Sequence, residues 1–106
     1  MRTLALFAVL ASSYAGAVNA KPTIIEGVIS GFECGDNCYL TVRTANGQER
    51  AGLCSAPQCQ KWNEKTSMPA KFKGRQVRIT VNTGKQYDNE GNVAGEMDAF
   101  SQIELK

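Results

Sequence analysis

IIEGVISGFECGDNCYLTVRTANGQERAGLC, residues Ile24–Cys54, decides the fold of this chain. Its middle portion, Cys38-Tyr39-Leu40-Thr41-Val42-Arg43, alternates strictly. Cys38, Leu40 and Val42 fall on one face and Tyr39, Thr41 and Arg43 on the other, the period of a half-buried β-strand. Upstream, Ile24, Val28 and Phe32 share a parity, with Gly27 and Gly31 between them. Glycine inside a strand marks a bulge or sharp bend, which a small coiled barrel needs in its first strand. Gly35-Asp36-Asn37 turns the first strand into the second, and Asn46-Gly47 turns the second into the third. A two-residue loop at Asn46-Gly47 sets Val42 opposite Ala51 and Leu40 opposite Leu53, so that apolar residues meet across the ladder. A three-residue loop would instead turn Arg50 and Gly52 toward the buried face. The first register is the expectation.

The chain opens with a secretory signal pattern: Met1-Arg2, an apolar run from Leu4 to Leu10, and Val18-Asn19-Ala20 as the cleavage site. Residues 1–20 are therefore expected to be a signal peptide, with residues 21–106 forming a single exported domain, periplasmic or secreted. The apolar run is too short to anchor the chain, and no later segment is long enough to span a bilayer. The chain carries 12 Lys and Arg against 10 Asp and Glu, a formal net charge of +2, and Arg2 departs with the leader. So even a balance argues against nucleic acid or an anionic membrane as partner. A monomer is expected.

Cys34, Cys38, Cys54 and Cys59 form an even set in a small exported domain, which points to two disulfides. Three pairings exist. Cys34 and Cys38 face each other across the Gly35–Asn37 turn, and the preferred register puts Cys54 on the other strand face from Cys38. Cys34–Cys38 with Cys54–Cys59 is the favoured map. Zinc would use more regular spacings, and thiol-redox chemistry would use C-x-x-C at a helix start.

Ser55-Ala56-Pro57-Gln58 has the form of a helix start, with Ser55 as N-cap and Gln58 as its capping-box partner. The helix runs to about Lys65 with Cys59 and Trp62 on one face, and Trp62 plugs one end of the barrel. Gln76–Val81 alternates as a fourth strand, and Asn82-Thr83-Gly84 is read as a turn. Asp88-Asn89-Glu90-Gly91-Asn92 is a polar hairpin tip rather than a calcium loop, because the EF-hand register is not met. Met97, Ala99, Phe100, Ile103 and Leu105 supply the last strand.

The order strand, strand, strand, short helix, strand, strand gives the fold class: all-β with one short helix, a five-stranded OB-fold-like Greek-key barrel. With GVISGF, YLTVRTANGQE, the Trp62 helix, GRQVRITV and the terminal AFSQIEL in place, the chain resembles the bacterial periplasmic OB-fold proteins. The four cysteines and the long Gly84–Phe100 segment depart from that group. The resemblance implies a periplasmic binding or stress-associated module.

No histidine is present, and neither a nucleophile motif nor a glycine-rich phosphate loop occurs. The expectation is a non-enzyme with no cofactor and no metal. OB barrels bind on the face of strands two and three and in the loops beside it. Here those positions are Asp36, Asn37, Tyr39, Arg43, Arg50 and Tyr87, where aromatics beside arginines would stack on and clamp an oligosaccharide or another envelope component. The alternative is a disulfide-stapled protein-interaction module, an inhibitor or an envelope-assembly or stress factor, presenting its two pinned tips to a partner.

Overall fold

The computed structural model describes residues 22–106; the expected signal peptide lies outside the described residues. Five strands, β1 (Thr23–Cys34), β2 (Cys38–Thr44), β3 (Glu49–Cys54), β4 (Gln76–Tyr87) and β5 (Val93–Leu105), close a barrel in the order β1-β2-β3-β5-β4. Helix α1 (Cys59–Lys65) and a 3-10 turn (Ala70–Phe72) link β3 to β4. All pairings are antiparallel except β3 with β5, which run parallel through only Leu53↔Ala99 and Cys54↔Phe100. This is the mostly-β, OB-fold-like barrel that the element order predicts.

Closure depends on β1 serving two neighbours at once. Gly27 pairs with Thr44 of β2 and with Val77 of β4. A Cβ there would meet the Arg43 carbonyl oxygen and lie 2.7 Å from Val42 Cγ1, so only glycine lets the strands approach this closely. A bulge follows at Ser30, between Ile29↔Val42 and Gly31↔Thr41. It reverses the side-chain parity and corrects the reading of β1. Ile29 is buried, whereas Ile24 is 53% exposed and Val28 is only partly covered.

The β2–β3 register also differs from the expected one. Tyr39 stands opposite Leu53, Leu40 opposite Gly52 and Val42 opposite Arg50, the three-residue-loop arrangement. A two-residue type I′ loop needs positive φ at both central residues. Only Gly47 adopts it (φ 86°), while Asn46 accepts the Gln48 N–H through its side chain. The buried face gains from this choice, because Gly52 leaves room for the Phe100 ring, whose nearest atoms lie 2.6 Å from where a Cβ would stand. Arg50 reaches the barrel rim and pairs with Asp98 at 3.0 Å.

The core comprises Ile29, Leu40, Val42, Val77, Ile79, Val81, Phe100 and Ile103, with Cys54, Cys59 and Trp62 at one end. Trp62 is buried there, edge-on to Phe32 at 6.0 Å and tilted against Phe72 at 4.9 Å, as a plug. The helix starts later than the capping pattern predicts. Ser55 donates through both its N–H and its hydroxyl to the Phe100 carbonyl, and Gln58 donates to the Ile103 carbonyl, so neither side chain caps α1. Tertiary bonds to β5 outcompete the local box.

Both disulfides follow the favoured map, Cys34–Cys38 and Cys54–Cys59. Only the expected placing of Cys54 on the other face from Cys38 fails, since continuing the observed register would place the two opposite each other. Cys34 and Cys38 are direct cross-strand partners across the turn, as expected, and Cys54–Cys59 ties the end of β3 to the start of α1. Two disulfides point to an oxidising, extracytoplasmic compartment. Among the described residues no helix is long and apolar enough to cross a membrane.

Candidate functional site

Asn82-Thr83-Gly84 does not turn the chain. β4 continues through it to Tyr87, pairing with β5 as far as Val93, so the two strands project as a long hairpin arm. The turn comes at 88–92, where Asp88 Oδ1 accepts the N–H groups of Glu90 and Asn92 and Gly91 takes φ 87°. The glycine at 84 lets this arm lie against the barrel instead: a Cβ there would come within 3.0 Å of Leu53 Cδ1 and 2.8 Å of Ala99 Cβ.

The arm is latched at its far end. Asn37, in the turn pinned by Cys34–Cys38, donates from Nδ2 to the Tyr87 carbonyl at 2.8 Å and accepts the Tyr87 N–H at 3.0 Å. An amide side chain that satisfies both main-chain groups of one residue substitutes for a missing neighbouring strand. Tyr39 adds a hydroxyl bond to Gln86 Oε1 at 3.0 Å.

Between the arm, the pinned turn and α1 lies a groove of about 360 Å³. Asn63, Asn82, Thr83 and Ser101 line it with amides and hydroxyls, Tyr87 stands at its edge, and Lys85 is its one charged side chain among the described residues. Asn82 Nδ2 donates to Ser101 Oγ at 2.6 Å, and Ser101 in turn donates to the Thr80 carbonyl. Asn63 donates to the Cys54 carbonyl at 2.9 Å, yet its buried Oδ1 has no hydrogen-bond partner. A buried acceptor left without a donor costs about 1–3 kcal/mol, and such groups are ordinarily met by a bound water or a ligand.

Of the six candidate ligand residues, the structure brings Asn37, Tyr39 and Tyr87 together at this groove and its latch. Arg43 lies elsewhere, 3.6 Å from Glu49, lining a second groove of about 400 Å³ with Glu26, Thr44, Gln76 and Lys106. Arg50 belongs to the opposite strand face from Tyr39 and Arg43, and its ion pair with Asp98 holds it at the rim. Asp36 is exposed at the pinned tip. Asn63, Asn82, Thr83 and Ser101 escape a reading of the sequence. Isolated amides and hydroxyls form no motif, and only the unbroken β4 assembles them.

Compared with models of known families, with curated proteins and with solved structures, the chain matches none. What stands is the architecture alone, a small five-stranded β-barrel with two disulfides, and no family or homologue is identified.

Proposed function

We propose that this protein is a non-catalytic binding module of the periplasm or extracellular space, taking a neutral, hydroxyl-rich envelope ligand such as an oligosaccharide in the groove beneath the arm. The observation that carries this reading is the groove's lining. Amides and hydroxyls supply paired donors and acceptors for sugar hydroxyls, and Tyr87, 44% exposed, offers a face on which a ring can stack. Amides and hydroxyls can hold a neutral ligand through hydrogen bonds alone, with Lys85 the single charge at the groove. The signal pattern at residues 1–20 and the two disulfides support export.

An NMR titration with soluble glycan and peptidoglycan fragments tests it. Shifts should cluster at Asn63, Asn82, Thr83, Tyr87 and Ser101. Tyr87→Ala should weaken binding by about 1–3 kcal/mol, the stacking increment measured for nucleic-acid bases. Shifts scattered over the barrel, or none with any fragment, would remove the groove from consideration.

A second reading, the protein-interaction module, draws on one observation. Tyr87 and Val93 are direct cross-strand partners at the arm's tip and both are exposed, Val93 at 55%. Asp36→Ala at the neighbouring tip is its clean probe, because Asn37 holds the arm and its loss would confound capture with unlatching.

A further inference from the structure

The even net charge conceals a separation of charge. Between Glu49 and Asp88 the chain has a single acid, Glu64, among eight basic residues. The cations on the barrel wall are paired: Arg43 with Glu49, Arg50 with Asp98, Arg78 with Glu26 and Glu104, and Lys106 with Glu26. Those of the segment that caps the barrel are not. Lys61, Lys65, Lys71 and Lys73 make no ion pair among the described residues, whereas the Arg75 guanidinium donates to the Lys106 main-chain oxygen at 3.3 Å.

The fold gathers these four lysines at one end, with Glu64 of α1 as the acid among them. Lys61 and Lys65 are four residues apart on α1, hence one above the other on the face opposite Cys59, and both are exposed. Lys71 and Lys73 flank Phe72, whose ring packs on Trp62 of that same helix, so the 3-10 turn lies against α1. Lys71 reaches over the Phe72 ring at 5.4 Å with its ammonium in water. Four of the ten acids, Asp88, Glu90, Glu96 and Asp98, lie on the arm beside Lys85, and Asp98 is paired with Arg50 of β3.

We infer that this basic cap is a docking surface for an anionic lipid bilayer, held by phosphodiester headgroups against Lys61, Lys65, Lys71 and Lys73. Unpaired lysines on flexible stems suit a fluid array of phosphates, where a fixed polyanion would favour forked, preorganised arginines. The inference is independent of the glycan reading. It concerns another face and stands or falls without it.

Co-sedimentation with vesicles tests it, using the disulfide-bonded protein and two lipid mixtures, phosphatidylcholine alone and phosphatidylcholine with 30% phosphatidylglycerol. The protein should pellet only with the anionic vesicles and be released by about 0.5 M salt, where the screening length falls to a few ångströms. Lys61→Gln/Lys65→Gln and Lys71→Gln/Lys73→Gln should each lower the partition coefficient about 30-fold, from ~1 kcal/mol per basic side chain at such a surface. Lys85→Gln, on the arm, should change it less than twofold, and millimolar glycerol phosphate should not compete. Equal pelleting with both vesicle types would overturn the inference, as would an effect of Lys85→Gln matching the cap variants. So would cap-dependent binding to heparin or oligonucleotide without vesicle binding, which would assign the cap to a soluble polyanion. Unchanged circular dichroism of each variant guards against loss of fold.

Discussion

Gly52 shows how a single missing side chain sets a register. Its Cβ position is already occupied by Phe100, the largest fully buried residue, so an inward methyl at 52 must displace a ring packed on every side. Overpacking of this kind costs about 1–3 kcal/mol. Gly52→Ala should therefore lower the stability measured by urea unfolding by that amount, and Phe100→Leu in the same chain should recover part of the loss. Strict additivity of the two substitutions would mean that they do not share the space. Glu26 illustrates a charge rather than a volume. The Lys106 ammonium, hydrogen-bonded to its carboxylate at 2.6 Å, and secondarily the Arg78 guanidinium hold it below the usual glutamate range. A depressed folded-state value means that its stabilising effect is complete above the unfolded value of ~4.3 and is lost as pH falls through the folded one. NMR titration of the Glu26 carboxyl should give a midpoint below that of an unfolded-chain glutamate, and Lys106→Gln should raise it. An unmoved midpoint would show that the pair exists without electrostatic consequence, as many exposed pairs do.

The arm is the element that connects fold to site, and Asn37 is its latch. Asn37→Ala removes two hydrogen bonds to Tyr87 at a net cost of roughly 1 kcal/mol, local rather than global. Hydrogen exchange of the Gln86 and Tyr87 amides should quicken about fivefold while the core strands keep their protection. Unchanged exchange would show that Gly84 packing alone holds the arm down. Elements were legible in the sequence where period and turn chemistry agreed: β2, the Gln76–Val81 half of β4, the Trp62 helix and the order that closes the barrel. They were misread where a local signal competed with a distant partner. Asn46-Gly47 is a strong two-residue hairpin signal, but the Phe100 ring, over forty residues away, favours the longer loop. Ser55 and Gln58 spell a helix cap, but β5 carbonyls claim them. Asn82-Thr83-Gly84 spells a turn, yet β5 supplies a strand partner for each of the three. That last misreading concealed the arm and with it the groove.

For the whole molecule, the question is how much the two disulfides contribute to a barrel this small, whose β3–β5 closure has only two residue pairs. Each bridge closes a very short loop, with separations of 4 and 5 residues, so the chain-entropy contribution is about 2 kcal/mol apiece. The two differ in surroundings. Cys54 and Cys59 are buried beside Trp62, whereas Cys34 and Cys38 are only partly covered at the turn. Cys34→Ala/Cys38→Ala should therefore cost little beyond the entropy and lower the melting temperature by about 8–16 °C for a domain of this size. Cys54→Ala/Cys59→Ala loses the same entropy and also leaves a cavity beneath the tryptophan, adding about 1 kcal/mol and a correspondingly larger drop. A domain of this length holds only 5–15 kcal/mol in all, so removing both pairs should bring it close to its unfolding threshold at physiological temperature. Differential scanning calorimetry of the three variants decides the point. If the outer pair proves the costlier, the barrel is organised around the pinned turn and its latch on the arm, and the tryptophan plug is the lesser support.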